Sequence, residues 1–222
     1  MDAKYIVGID EVGRGPLAGP VAVCSFLLKN DILLQNIKHK KLPKLKDSKK
    51  LTKKQRVTWY NYLKNSKVEG FCDFAVSFVS SENIDKFGIV KCIQKALNES
   101  LKKVTSRDIQ NFSRFTLKGS DTDKNFEHPA PFSSFHIYLD GGLHAPAEYI
   151  NQETIIRGDE IHPVISMASI MAKVTRDRIM INYAKQYPEY GFDSHVGYGT
   201  KAHYVAIKKH GQTPIHRKTF IH

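Results

Sequence analysis

Residues 5–28 read YIVGIDEVGRGPLAGPVAVCSFLL. Two apolar, β-branched runs, Tyr5 to Asp10 and Val21 to Leu28, enclose a segment whose closely spaced glycines and prolines forbid regular structure. The order is strand, loop, strand. The first run ends on Asp10-Glu11, an unusual place for two acids. Adjacent strand residues point to opposite faces, and a carboxylate at the buried end of an apolar strand is costly unless it is paired. A strand end or bulge would let both side chains converge on a cation.

Working outward, Phe74, Val76 and Phe78 alternate with Asp73, Ala75 and Ser77, which predicts a third strand over Phe71 to Val79. Ser80-Ser81-Glu82 reads as a helix start, and Ile89, Ile93, Ala96, Leu97, Leu101 and Val104 keep helical spacing to about residue 104. Residues 105–134 are polar and hold Gly119, Pro129 and Pro131, which predicts a long surface loop or insertion. Phe135, Ile137 and Leu139 then alternate with His136, Tyr138 and Asp140, a strand that carries Asp140 at its C-terminal end. A short strand, Glu153 to Arg157, precedes Gly158-Asp159, and Pro163 suits the first turn of a long helix to about Tyr187. From Pro188 a loop, a helix over Lys201 to His210 and a short tail are expected. Strands alternating with helices describe an α/β mixed sheet. At 222 residues, a single domain over 1–222 is expected, with about 188–222 as a C-terminal extension.

Asp10, Glu11, Asp140 and Asp159 thus come from three strand ends, along the edge where open α/β sheets bind ligands. An all-oxygen donor set suits Mg²⁺ or Mn²⁺ and not zinc. Taken singly, each acid reads better as a turn or cap residue, but the Asp10-Glu11 pair at an apolar strand end is less easily explained that way. Paired carboxylates also serve acid/base enzymes acting on sugars, but the distribution of basic charge favours a polyanion. The chain has 34 Lys+Arg against 22 Asp+Glu, a net of +12. Residues 38–56 hold nine Lys and Arg56 against Asp47, a net of +9, and residues 201–222 hold four Lys and Arg217, a net of +5. The remainder is therefore slightly acidic, at −2. Two basic segments bracketing an acidic body point to an anionic polymer or surface as partner.

Other classes are disfavoured. A hydrophobic content of 41% and a charged content of 25% argue against disorder. The longest uncharged stretch, Gly15 to Leu28, has 14 residues with two prolines and two glycines, short of a membrane span. The N-terminus shows no signal-peptide pattern. Cys24, Cys72 and Cys92 match neither a zinc pair nor a disulfide framework, and read as core thiols in a reducing cytoplasm.

Two further features lie near the acids. On the helix after Asp159, the residues Ser166, Ser169, Lys173, Arg176 and Asp177 fall within about 100° of arc, a polar stripe on an otherwise apolar helix. It is either the wet side of an amphipathic helix or a face turned to the carboxylates, with Lys173 or Arg176 near phosphate. Gly13-Arg14-Gly15 directly follows the acidic pair, and its small residues would let main-chain amides approach a ligand.

These residues resemble ribonuclease HII. The likeness includes residues 8–21 around Asp10-Glu11 and Gly13-Arg14-Gly15, the segment Lys46-Asp47-Ser48-Lys49-Lys50-Leu51-Thr52, Asp140-Gly141 and Gly158-Asp159. It continues through Ala168-Ser169-Ile170-Met171-Ala172-Lys173-Val174-Thr175-Arg176-Asp177 and over residues 187–220, with Gly197-Tyr198-Gly199-Thr200 and His216-Arg217 as anchors. The resemblance implies an RNase H-like five-stranded mixed sheet flanked by helices, with a helical C-terminal extension. It implies a monomeric endoribonuclease that uses two Mg²⁺ or Mn²⁺ ions held by Asp10, Glu11, Asp140 and Asp159. The substrate would be an RNA/DNA hybrid or duplex DNA with embedded ribonucleotides, cut on the 5′ side of the ribonucleotide to leave 3′-hydroxyl and 5′-phosphate ends. Gly13, Arg14 and Gly15 would grip the ribonucleotide, Tyr198 would pack on the neighbouring deoxyribose, and Lys49, Lys173 and Arg176 would lie near phosphate.

Three departures stand out. Met167 occupies a position where the family has a small alanine, residues 105–134 exceed the typical length, and no partner-binding tail is expected after Phe220. Two rivals remain at this level: a non-catalytic nucleic-acid-binding protein, and another RNase H-fold nuclease. The lack of a domain ahead of Tyr5 and the Gly-Arg-Gly loop favour the HII branch over HIII.

Overall fold

The computed structural model describes residues 5–28, 32–38, 40–116 and 132–222. Strand β1 (Tyr5–Val12) pairs antiparallel with β2 (Val21–Leu28), setting Asp10 opposite Cys24 and Glu11 opposite Val23. The eight-residue loop between them is long enough only to return the chain to the neighbouring position, so an antiparallel pair results. Helix α1 (Ile32–Lys38) and helix α2 (Lys53–Val68) follow, then β3 (Cys72–Val79), antiparallel to β2. Helices α3 (Ser81–Phe87) and α4 (Ile89–Thr116) lead to β4 (Phe135–Asp140), which lies parallel to β1. Strand β5 (Gln152–Ile155) pairs parallel with β4, and the sheet order is β3-β2-β1-β4-β5. The chain continues through α5 (Gly158–Ile161), α6 (Pro163–Gln186), α7 (Phe192–His195) and α8 (Lys201–His210). The expected five-stranded mixed sheet with flanking helices is what forms.

Both faces of the sheet are covered, and β2 is accordingly buried at all eight positions. On one face Ile93, Ala96, Leu97, Leu101 and Val104 of α4 pack on Val7, Ile9, Val23 and Leu139. On the other, Trp59 and Leu63 of α2 and the apolar residues of α6 pack on Cys24, Phe26 and Leu28. Each fully buried Val, Ile or Met of α6 contributes about 1.5–3 kcal/mol, and Met167 is one of them, fully buried in this layer. A third cluster, Ala18, Met180, Tyr190, Phe192, Ala206 and Ile215, joins the C-terminal extension to the loop between β1 and β2.

Several boundaries differ from the sequence expectation. Gly88, at φ 80°, separates α3 from α4 where one continuous helix is predicted. Helix α4 continues to Thr116, so residues 105–116 are not the expected loop, while residues 117–131 of that segment lie outside the described residues. Strand β5 stops at Ile155, and Arg157 takes a left-handed φ of 56° that turns the chain into α5. Helix α2 is not predicted by periodicity, because it buries only Trp59, Leu63 and Ser66. Its start is nevertheless written in the sequence: Thr52 Oγ1 accepts from Gln55 N, and Gln55 Oε1 accepts from Thr52 N, a reciprocal cap.

Candidate active site

Strands β1, β4 and β5 run parallel to one another, so their C-terminal ends share an edge. Asp10 and Glu11 lie near the end of β1, Asp140 ends β4, and Asp159 sits on the short helix immediately after β5. The Asp159 main-chain N–H donates to Asp140 Oδ1 at 3.3 Å, which ties the third acid to the fourth. Helix α6 closes in behind them. A Cβ at Gly8 would stand 2.4 Å from the carbonyl of Val164, so β1 and the first turn of α6 touch backbone to backbone.

The acids are short of neutralising charge. Asp10 is 4% exposed, and burial, followed by repulsion from Glu11, Asp140 and Asp159, pushes its carboxyl well above the usual range. A hydroxyl bond from Ser169 opposes the shift. Glu11 is raised by burial and by Asp140, against the pull of Arg14, whose Nη1 lies 3.8 Å from Glu11 Oε1. Asp159 is raised to about 6, by burial first and then by Asp140 and Asp47. Lys49 Nζ is 3.6 Å from Asp159 Oδ2, on a side chain that is three-quarters exposed. Burial lowers the Lys49 ammonium, but Asp159, Asp47, Asp10 and Asp140 together raise it. Among the described residues no three acidic, His or Cys groups close around one point as a preformed cage. The four carboxylates interact through charge without converging, and their hard oxygen donors and uncompensated repulsion fit divalent ions of the Mg²⁺ or Mn²⁺ type.

A cleft of about 500 Å³ opens in front of Glu11. Gly13, Arg14 and Gly15 form one wall, while Lys49, Lys173 and Tyr198 also line it. Lys173 is paired with Asp177 at 2.9 Å, and Arg56 adds a fourth cation to the lining. Of the residues expected from sequence, ten are therefore gathered at the acidic edge or its cleft: Asp10, Glu11, Asp140, Asp159, Gly13, Arg14, Gly15, Lys49, Lys173 and Tyr198. Arg176 is not. It is fully buried, and its Nε, Nη1 and Nη2 donate to the carbonyls of Pro20, Val196 and Ala18 at 2.9, 3.0 and 3.2 Å. The polar stripe of α6 turns inward at that point, so Arg176 supports the loop between β1 and β2 and does not face phosphate.

Four supporting residues are quoted in the sequence motifs without a role: Ser48, Ser169, Asp47 and Arg217. Ser169 donates to Asp10, so the 2.8 Å contact between Ser169 and Ser48 has Ser48 as donor. This two-hydroxyl chain stitches the basic segment to the acid on β1. Asp47 accepts from Lys49 N at 2.9 Å and holds the turn that carries Lys49. Arg217, in the basic tail, is fully buried and donates to Gly13, Arg14 and Gly19 carbonyls. All four lie in the motifs quoted above, Arg217 in the His216-Arg217 anchor, but nothing in a lysine-rich tail tells that Arg217 is buried against the loop between β1 and β2.

A family model described as ribonuclease HII matches residues 7–126 and 131–222. A ribonuclease HII of Endomicrobium trichonymphae is 38% identical over 216 residues, 97% of this chain and 84% of its own length. Among solved structures, the PCNA:RNase HII complex from Archaeoglobus fulgidus aligns with a TM-score of 0.65 at 21% identity, over 98% of this chain and 96% of that one. Bst-RNase HIII in complex with Mn²⁺ aligns at 0.59 and 14% identity, over 95% of this chain and 64% of that one. These two establish the fold alone. Sheet, acidic edge and sequence relatives together define a hydrolase of the ribonuclease H type. Within that class, the chain belongs to the ribonuclease HII family.

Proposed function

We propose that this protein hydrolyses the phosphodiester on the 5′ side of a ribonucleotide, in an RNA/DNA hybrid or embedded in duplex DNA, leaving 3′-hydroxyl and 5′-phosphate ends. The observation that carries this reading is the pairing of four mutually repelling carboxylates with a cleft rimmed by Arg14, Lys49, Arg56 and Lys173. Acids alone would reject a nucleic acid backbone, and cations alone would bind it without cutting.

Asp10, Glu11, Asp140 and Asp159 would hold divalent ions, which supply activation of the attacking water and stabilisation of the departing 3′-oxygen. The rest falls to the protein. Arg14, Lys49 and Lys173 attract the backbone and hold it over the acids. Main-chain groups of Gly13 to Gly15 read the ribose 2′-hydroxyl, the feature that separates RNA from DNA, and leave the base unread. The Tyr198 ring, 41% exposed, offers a flat apolar surface to the neighbouring deoxyribose. Ser169 keeps Asp10 oriented.

Incubating a duplex containing one ribonucleotide with the protein in Mn²⁺ or Mg²⁺, and mapping the nick, tests the proposal. One cut 5′ of the ribonucleotide is expected, absent with a chelator. A cut that persists when that ribose is replaced by deoxyribose, or no cut with either ion, sinks it.

A further inference from the structure

The loop that lines the cleft is held from behind by a residue of the C-terminal tail. Arg217 Nη2 donates to the Gly13 carbonyl at 2.7 Å, Nη1 to the Arg14 carbonyl at 3.0 Å, and Nε to Gly19 at 3.0 Å. Its own N–H donates to Leu17 at 2.7 Å, which fixes the tail against the loop. Two consecutive carbonyls thus point at one guanidinium. In a trans peptide the carbonyl of one residue and the N–H of the next point in opposite directions. Pulling the Gly13 and Arg14 carbonyls inward therefore drives the Arg14 and Gly15 N–H groups outward, side by side, on the cleft side of the loop. Successive outward amides form a concavity suited to a hydroxyl or phosphate oxygen. Gly13 adopts φ 92°, and a Cβ added at Gly15 would meet nothing within 4 Å, so the loop's outer surface is open to a ligand.

We propose that Arg217 is a positioning residue for ribose recognition: by holding the Gly13 and Arg14 carbonyls it aims the Arg14 and Gly15 amides at the 2′-hydroxyl. The inference rests on the proposed function above. Burying a guanidinium is costly, and burial here lowers the Arg217 pKa to about 9. A neutral side chain could have filled the same space, but it would not bind two adjacent carbonyls in a fixed plane. Arg176 is the internal control. It is equally buried and equally surrounded by carbonyls, and it packs against Gly13, where a Cβ would stand 2.3 Å from its Nε, but its hydrogen bonds go to Ala18, Pro20 and Val196 and to neither of the two carbonyls that Arg217 holds.

The test compares Arg217→Lys with Arg176→Lys. Binding is measured in chelator, for a duplex with one ribonucleotide and for the same duplex in all-DNA form, and KM and kcat are measured in Mn²⁺. Arg217→Lys keeps the charge but loses the planar fork, and is expected to lose about tenfold in preference for the ribonucleotide duplex, the worth of one to two hydrogen bonds. Its affinity for the all-DNA duplex should stay at the wild-type value. Arg176→Lys should keep the wild-type preference. Equal preference in Arg217→Lys and wild type, or equal loss in both variants, overturns the proposal. If Arg217→Lys does not fold, amide exchange in the wild type decides: the Arg14 and Gly15 amides should exchange fast in the free protein and slow with the ribonucleotide duplex only. Slowing by both duplexes alike, or by neither, overturns it. A wild type that cuts without regard to ribose removes the proposed function itself, and this inference with it; a wild type that cuts at ribose beside an unaffected Arg217→Lys removes the inference alone.

Discussion

The C-terminal edge of the sheet buries Asp10 and Asp159 with only the exposed Lys49 close to the second of them, whereas the junction between loop 13–20 and the C-terminal extension buries Arg176 and Arg217 among backbone carbonyls. The two regions treat charge in opposite ways. At the sheet edge the carboxylates raise one another's pKa and remain unsatisfied until something positive arrives. At the junction each guanidinium meets three carbonyls, so nothing further is required. A region completed by the fold is scaffold, and a region left incomplete by it is where a ligand belongs.

The sharpest way to break this contrast is Asp10→Asn. We expect cleavage to fall by at least about 10³-fold, with duplex binding retained, while the metal-free protein becomes more stable because the burial and mutual repulsion that disfavour the charged carboxylate are removed. Gel-based cleavage and thermal melting check both halves. A loss of stability would mean that the edge is already satisfied without a ligand. At the junction the expectation reverses. Arg176→Met strands three buried carbonyls, and should cost about 3 kcal/mol, or roughly 10 °C in Tm for a chain of this size. Calorimetry reads that directly, and an unchanged Tm would show that the carbonyls find other partners.

Acid should also act on the two regions with opposite signs. Asp159, at about 6, lies above its unfolded value, so its contribution favours folding at low pH and is lost as pH rises through 6. His216, lowered to about 4 by burial and then by His203, lies below its unfolded value, so its contribution is present above about 6.5 and lost as pH falls toward 4. Its tautomer is fixed by its neighbours. The Tyr198 carbonyl can only accept, so His203 Nδ1 donates to it at 2.9 Å, and His203 Nε2 must accept from His216 Nε2 at 3.0 Å. His216 Nδ1 is then left to accept from Thr213 N at 2.8 Å. A second proton has no place in this chain. Ring-proton NMR should show His216 titrating near 4, with stability falling by at most about 1.4 kcal/mol per pH unit below 6; an ordinary titration near 6.5 contradicts it. The smallest effect belongs to Lys49→Ala. An exposed pair at 3.6 Å holds little stability, so Tm should move by no more than about 2 °C. Duplex binding should weaken, with the salt dependence falling by about one charge, measured by anisotropy at several salt concentrations.

The sequence makes parts of this arrangement readable and hides others for definite reasons. Alternation sets β4 at Phe135–Asp140, and an apolar run broken only by Ser25 sets β2 at Val21–Leu28, both as expected, because a strand's pattern survives in one dimension. Helix α8 and the long α6 are equally plain. The acids are visible because carboxylates at the ends of apolar runs violate the usual pattern. Helix α2 is hidden by its own charge, since a helix that buries only Trp59, Leu63 and Ser66 has little apolar rhythm to detect. Arg176 misleads for a different reason. Its spacing places it on a polar stripe, and spacing does not say that the carbonyls of Ala18, Pro20 and Val196 wait on that side. The motif marks Arg217, but the lysines around it give no sign that it is buried. Charge can be counted along a chain, but its counterpart in the main chain appears only after folding.

Gly8 sets a limit of another kind. Its missing side chain lets the backbone at Val164 come within 2.4 Å of where a Cβ would be, and the same helix carries Ser169 to Asp10 and follows directly from Asp159. The distance between the first and the last acid is therefore gauged by a vacancy the size of one methyl group. Filling it would wedge sheet and helix apart, and the error would be delivered undiminished to the carboxylates, two residues along one strand and five residues back along the other chain segment.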